Sequence, residues 1–227
     1  LWLHEPLDYW KQTRPTAELV SFNGTRFTFE DGVALIDRMA GGLARELQPG
    51  QRFAILSRNS VEMLFLYFAA SKAGVVPVGL NYRLTASELE FIVADCGATL
   101  LFAQNEYVDT VAQLRKQCPD LRTKVTLDGT GTGTWWSLTD WLGDPILTAA
   151  SRSRRHGEAM QIYTSGTTGR PKGAVLTHVG LTNLLHQWRM CFPSSKEERL
   201  LIVAPLYHVG GTFHSFHAIG HGGAVLL

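Results

Sequence analysis

The chain has 227 residues, 45% hydrophobic and 18% charged, enough to bury one or two compact cores. A formal net charge of +1 gives no global pull toward nucleic acid or an anionic membrane surface, and no apolar run reaches the roughly 18 residues of a membrane span. Cys96, Cys118 and Cys191 are scattered and form no C-x-x-C pair, and the N-terminus lacks a basic-then-apolar secretory pattern; both features argue for a reducing compartment and a cytoplasmic protein rather than a disulfide framework.

The first element is a short strand at Phe27–Phe29; Asp31 then precedes a helix that carries Val33, Ile36, Met39, Ala40, Leu43 and Leu47 on one face. Gly41-Gly42 inside that pattern predicts close packing, and Pro49-Gly50 ends it. Phe53–Leu56 is a strand; Asn59 or Ser60 caps a helix that Gly74 stops. Val75–Val78 is a strand in which Pro77 predicts an edge or an irregularity. Thr85-Ala86-Ser87-Glu88 is a capping box for a helix to Cys96 with Gly97 as its C-cap. Leu100–Phe102 is a strand, Asn105–Gln117 a helix, and Lys124–Leu127 a strand. Gly129–Thr134 reads as a surface loop rather than a phosphate loop, since it leads into Trp135-Trp136 and a short helix-like segment. Ser151–His156 reads as a solvated linker between two lobes, 1–150 and 158–227. Met160–Tyr163 and Ala174–Leu176 are strands, and Thr177 caps a helix carrying Leu181, Leu184, Leu185 and Trp188. Leu200–Val203 is a buried-type strand, Leu206–Gly211 a loop, and a helical stretch runs to about Gly220. The alternation predicts an α/β fold with a largely parallel sheet flanked by helices.

The stretch richest in chemistry is Tyr163–Gly173, Y-T-S-G-T-T-G-R-P-K-G. Its glycines permit close backbone approach, successive turn amides can form an anion-binding concavity, the hydroxyls add rotatable donors, and Lys172 adds a compact positive charge. This is the composition of a polyphosphate-holding loop. It is not a Walker A loop, because Lys172 follows Pro171 and leads into a strand rather than opening a helix.

Thr164–Gly173, T-S-G-T-T-G-R-P-K-G, resembles the signature loop of the adenylate-forming superfamily, which includes acyl-CoA synthetases, luciferases and peptide-synthetase adenylation domains. Phe27-Thr28-Phe29 with Arg38–Ala44, Ser71–Val78 with Asn81-Tyr82-Arg83-Leu84, and Ala204–Gly211 are similar to further motifs of that family, in the family's order. The resemblance covers almost the whole chain but less than half of a family member. With no initiator Met, and an end at Gly222–Leu227 that reads like half a buried strand, the chain is expected to be the N-terminal portion of a longer protein, inactive alone and without the family's C-terminal domain.

The resemblance implies the layered α/β fold of an acyl-CoA synthetase N-terminal domain and an acid–thiol ligase. Such an enzyme joins a carboxylic acid to ATP, releases pyrophosphate and passes the acyl group to coenzyme A. It implies that Ser165, Gly166, Thr167, Thr168, Gly169 and Lys172 bind ATP phosphates. Thr164 then helps to hold Mg²⁺ as well as ATP, and His208 acts at the boundary of acyl pocket and nucleotide. The implied partners are the acid, ATP and CoA, with room for a homodimer. A non-catalytic nucleotide- or acyl-binding module of the same fold and a luciferase-like enzyme are the alternatives. For His208 the competing reading is a partly buried histidine bonded to backbone. Zinc held by His208, His214, His217 and His221 is disfavoured, as no cysteine or carboxylate accompanies them. Amino-acid-activating relatives carry an aspartate at the motif matching Tyr207-His208, whereas no Asp or Glu occurs from Leu200 to Leu227. A buried ammonium without a counter-charge is costly, so a fatty or aryl acid is favoured.

Overall fold

A computed structural model describes residues 2–114, 118–145, 157–164, 170–192 and 194–227. The expected linker Ser151–His156 and five loop residues, Ser165, Gly166, Thr167, Thr168 and Gly169, lie outside the described residues.

The chain opens with α1 (Glu5–Thr13) and β1 (Glu18–Phe22), which the hydrophobic pattern does not announce, and continues with β2 (Thr25–Thr28). α2 (Phe29–Glu46) begins ahead of Asp31 because Thr28 is the true N-cap, its Oγ1 accepting the Asp31 N–H at 3.1 Å. A Cβ on Gly41 would fall 1.7 Å from the Asp144 carbonyl oxygen, and one on Gly42 would fall 2.7 Å from the Trp141 ring. The close packing expected there is present. β3 (Arg52–Leu56) leads to α3 (Val61–Ala73), capped by Ser60 and ended by Gly74 at φ 72°. β4 (Val76–Leu80) precedes α4 (Ala86–Cys96), where the Thr85–Glu88 capping box and the left-handed Gly97 stand as expected. β5 (Leu100–Ala103) follows. The helix expected over 105–117 is instead a 3-10 turn, Asn105–Tyr107, and a short α5 (Val108–Ala112); residues 115–117 lie outside the description. β6 (Thr123–Thr126), β7 (Trp135–Ser137) and α6 (Leu138–Trp141) come next, the Trp pair being a strand because Lys124 and Val125 pair with it in parallel. The chain then runs through β8 (Glu158–Thr164), β9 (Lys172–Thr177), α7 (His178–Cys191), β10 (Arg199–Leu201), α8 (Val209–Gly220) and β11 (Ala224–Leu226).

The strands form a seven-stranded sheet in the order β7-β6-β5-β3-β4-β8-β9 and a four-stranded sheet in the order β10-β11-β1-β2. All pairings of the larger sheet are parallel except β8–β9, which is an antiparallel hairpin. β3 shows how the sheet is built. Phe53 and Ile55 face a core shared with α2, α3 and the smaller sheet, while Ala54 and Leu56 face a second core under α4. α3 is buried on every side except at Glu62, as an all-round apolar helix between layers must be.

β4 is an interior strand, so Pro77 does not mark an edge. The Val76 N–H donates to Gln51 O of the β3 side at 2.9 Å, so the next residue's nitrogen faces β8, whose ladder registers with β4 at Val78–Gln161. Proline therefore sits where the missing N–H falls at the margin of that ladder. Among the described residues no helix is long and apolar enough to cross a membrane.

One buried charge cluster ties α1, α2 and α3 together. Lys72 Nζ donates to Asp37 Oδ1 at 2.6 Å and to Asp8 Oδ1 at 2.7 Å, with Lys72 1% exposed. Burial raises the Asp37 carboxyl above its ordinary range, against the opposing pull of Lys72. Nearby, His4 is held down to about 4, first by burial and then by the Lys72 charge. Removing the cation would leave the buried Asp37 with only Lys11, 3.8 Å away, and the half-buried Asp8 without this partner. Lys72→Met is therefore expected to cost about 3–5 kcal/mol in urea unfolding, and a loss below about 1 kcal/mol would contradict the cluster.

Candidate functional site

The β8–β9 hairpin ends with Thr164 opposite Lys172, Tyr163 opposite Gly173 and Gln161 opposite Val175. Alternation puts Gln161 and Tyr163 on one face, and that face carries a linked set of hydrogen bonds. Arg52 Nε donates to Gln161 Oε1 at 2.6 Å and Arg52 Nη2 to Glu158 Oε2 at 2.8 Å. Gln161 Nε2 donates to Tyr163 Oη at 3.1 Å, and Tyr163 donates to Asp95 Oδ2 on α4 at 2.5 Å. Burial first, and then the bond to Asp95, push the Tyr163 phenol well above its ordinary value, so it stays a donor. Gly173 is required beneath this set, since a Cβ there would fall 2.2 Å from Gln161 Nε2 and 3.0 Å from the Tyr163 ring.

Beyond the hairpin lies a cavity of about 500 Å³ at the C-terminal ends of β4 and β8. Open α/β sheets bind ligands at such strand ends. Thr164 and Pro171 reach it from the hairpin, Gly79 and Asn81 from β4, and Tyr207 and His208 from the segment before α8. That segment is clamped by α3 and its N-terminal approach. Asn59 Nδ2 donates to Ala204 O at 3.0 Å, Asn59 Oδ1 accepts the Leu206 N–H at 2.8 Å, and Tyr67 Oη donates to Leu206 O at 2.9 Å.

His208 is not simply in a loop. It is the N-cap of α8, with Nδ1 accepting the Gly210 N–H at 3.2 Å. With Nδ1 accepting, the neutral ring carries its proton on Nε2, so the side chain keeps one donor at the cavity. Gly211, in the first turn, packs so tightly that a Cβ would fall 2.3 Å from Pro205 O.

Of the residues nominated from the sequence, Thr164 and His208 line one cavity and Lys172 pairs with Thr164 across the hairpin. The other five lie outside the described residues. Among the described residues no three His, Cys, Asp or Glu side chains group to hold a metal, and His217 and His221 are bonded instead to Ser194 Oγ and to the His217 carbonyl. Sequence reasoning did not find Asp95, Asn59 or Tyr67, whose partners lie 68, 147 and 139 residues away.

The AMP-binding enzyme family model matches residues 7–227. The chain belongs to that family. It is 33% identical over 195 residues to Long-chain-fatty-acid--CoA ligase FadD13 of Mycobacterium tuberculosis, covering 81% of this chain and 36% of the relative. It is 36% identical over 203 residues to a feruloyl-CoA synthase of Amycolatopsis sp, covering 86% and 37%. The crystal structure of ATP-bound MatB from Rhodopseudomonas palustris superposes with a TM-score of 0.84 at 28% identity, covering all of this chain and 45% of that one. The chain thus spans little more than a third of these two curated relatives, and its layered sheets are those of an acyl-CoA ligase N-terminal domain.

Two substitutions at this site separate anchoring from contact. In the full chain, Tyr163→Phe leaves Asp95 without its donor. It also removes the acceptor of Gln161, so it should cost about 1–3 kcal/mol of stability, about 0.5–1.5 for each bond, and raise the KM for ATP in pyrophosphate exchange about threefold to tenfold. An unchanged KM would separate the network from the loop. His208→Ala removes both the cap and the cavity donor, costing about 1 kcal/mol of stability as well as exchange activity. His208→Asn keeps a capping oxygen and should recover the stability alone; recovery of activity with it would reduce His208 to a cap.

Proposed function

We propose that this chain carries the ATP-phosphate loop of a ligase that converts a carboxylic acid to an acyl-adenylate and then to an acyl-CoA thioester. Residues 1–227 are part of its adenylation domain. The observation that carries the reading is the hairpin Thr164–Lys172 standing at the mouth of a cavity shared with Tyr207 and His208. The kinship with CoA ligases and an ATP-bound protein supports it.

In adenylation a carboxylate oxygen attacks the α-phosphorus of ATP, and charge grows on the departing pyrophosphate. Fixed donors aimed at that charge lower the barrier without reorganising. Lys172 supplies a cation at the root of the loop, Ser165, Thr167 and Thr168 supply hydroxyls, and Gly166 and Gly169 let the backbone amides approach. His208 offers its Nε2 proton to an oxygen of the acid or of the adenylate phosphate. Thr164 lines the cavity and offers a hard oxygen, which suits Mg²⁺ held chiefly by substrate phosphates and water. That ion, when bound, neutralises phosphate charge. The acid is fatty or aryl, since Leu200–Leu227 offers no carboxylate to an α-ammonium.

The test is ATP–pyrophosphate exchange by the full chain across a panel of acids. Fatty or aryl acids should stimulate exchange, and Lys172→Ala should lower it about a hundredfold or more while the fold is retained. Exchange stimulated by amino acids alone would overturn the substrate class. No exchange with any acid would overturn the enzymatic reading in favour of a binding module.

A further inference from the structure

The two arms of the β8–β9 hairpin are tied to one side of α4. From the entry arm, Tyr163 Oη donates to Asp95 Oδ2. From the exit arm, the Arg170 guanidinium lies over the Phe91 ring, its carbon 5.8 Å from the ring centre. Phe91 and Asp95 are four positions apart in α4, so they share a side of the helix, about 6 Å apart along its axis. Among the described residues no carboxylate pairs with Arg170, and the ring is the partner it has.

This contact is suited to holding a backbone in place. Phe91 packs, as Tyr163 does, against the core under α4, so the ring is itself anchored. A guanidinium is planar and weakly hydrated, and it stacks on an aromatic face where an ammonium keeps its water. The chain beyond Arg170 is stiff. Proline fixes its own φ and biases the residue before it toward extended backbone. Arg170-Pro171 therefore passes the anchor directly to Lys172, where β9 begins and pairs with Thr164. Pro171 itself lines the candidate cavity.

We propose that Phe91 and Arg170 are positioning residues for the adenylation proposed above, the reading on which this inference rests. The ring holds the guanidinium, and the stiff Arg170-Pro171 link sets where Lys172 stands relative to the phosphates. Neither Phe91 nor Arg170 touches the substrate. The Tyr163–Asp95 bond fixes one arm and the Arg170–Phe91 contact the other, so α4 sets the spacing between them. The rival reading makes Arg170 a direct ligand of phosphate, and in that case Phe91 is dispensable.

The test is a double-mutant cycle in the full chain, read by ATP–pyrophosphate exchange and by urea unfolding. Arg170→Gln and Phe91→Leu should each raise the KM for ATP about threefold to fivefold, the worth of one exposed cation–π contact, with kcat nearly unchanged. The double variant should be no worse than the poorer single one, and Phe91→Tyr, which keeps a ring, should stay close to the parent protein. In unfolding, the two changes should be coupled by a similar factor in the equilibrium constant. Independent, multiplying effects on KM would overturn the proposal, as would an unchanged KM in both single variants. So would an effect of Arg170→Gln with Phe91→Leu silent, which would make Arg170 a phosphate ligand. Coupling in unfolding with no exchange in the parent protein would overturn the adenylation reading, and the positioning role with it, while leaving the tether. Exchange with independent effects would overturn the positioning role alone.

Discussion

The site depends on the register of one antiparallel pair. β8 is the last strand to join the parallel sheet, and among the described residues β9 pairs with it and with no other strand. A shift of β9 by one residue would bring Lys172 or Ala174 opposite Tyr163 in place of Gly173. Gly173 enforces the register sterically, because a side chain there would collide with Gln161 and Tyr163. The polar set fixes it energetically. Each bond contributes only about 0.5–1.5 kcal/mol, but breaking one strands a partly buried partner.

The facing wall is held by different means. Asn59 and Tyr67 belong to the approach and body of α3, the helix buried between the layers, and together they hold the Ala204–Leu206 backbone. Gly79 lets β4 pass that segment, a Cβ there falling 2.4 Å from Tyr67 Oη and 2.9 Å from Tyr207 Cα. Tyr207 and His208 therefore project from a backbone positioned by the core rather than from a free loop. α3 is fastened in turn at its C-terminal end by Lys72 between Asp8 and Asp37. The Tyr207–His208 wall thus rests on the helical layer, and a fault in that layer would reach the site without touching it.

What could be read in the sequence was what is decided locally. The capping box at Thr85, the glycine stops at 74 and 97 and the strand-flanked loop depend on residues within a few positions of one another, and each stands as expected. Where a distant partner decides, local pattern fails. Trp135–Ser137 is a strand because β6 offers it a ladder, and Pro77 sits inside a sheet because the neighbouring ladder begins beside it. His208 escaped notice as a cap because histidine is not among the usual capping residues, and only the geometry shows its Nδ1 over the Gly210 N–H. That Thr164 and His208 meet at one cavity is implied by the family resemblance alone, not by any local pattern. Their meeting follows from β4 and β8 being neighbours, a pairing of residues 78 and 161.

In the function proposed above, the hairpin also bears on how a polyphosphate would be held without a Walker loop. In that motif a helix begins directly behind the glycines and adds its positive end to the amide donors. Here the strand β9 begins at Lys172, so no helix end stands behind the glycines, only the loop's own amides and hydroxyls, Arg170 and Lys172. Yet α8 opens at the opposite wall, with His208 as its cap and Gly210 and Gly211 in a first turn that carries no acidic side chain, while Glu88, which also lines the cavity, is engaged in the capping box of α4. The two features that a Walker loop joins in sequence are separated here into two walls. Their spacing is set by the sheet and by α3, so donors to a bound anion can approach from both sides. A change in the distance between the walls would then alter electrostatic stabilisation directly, with no residue of the loop replaced.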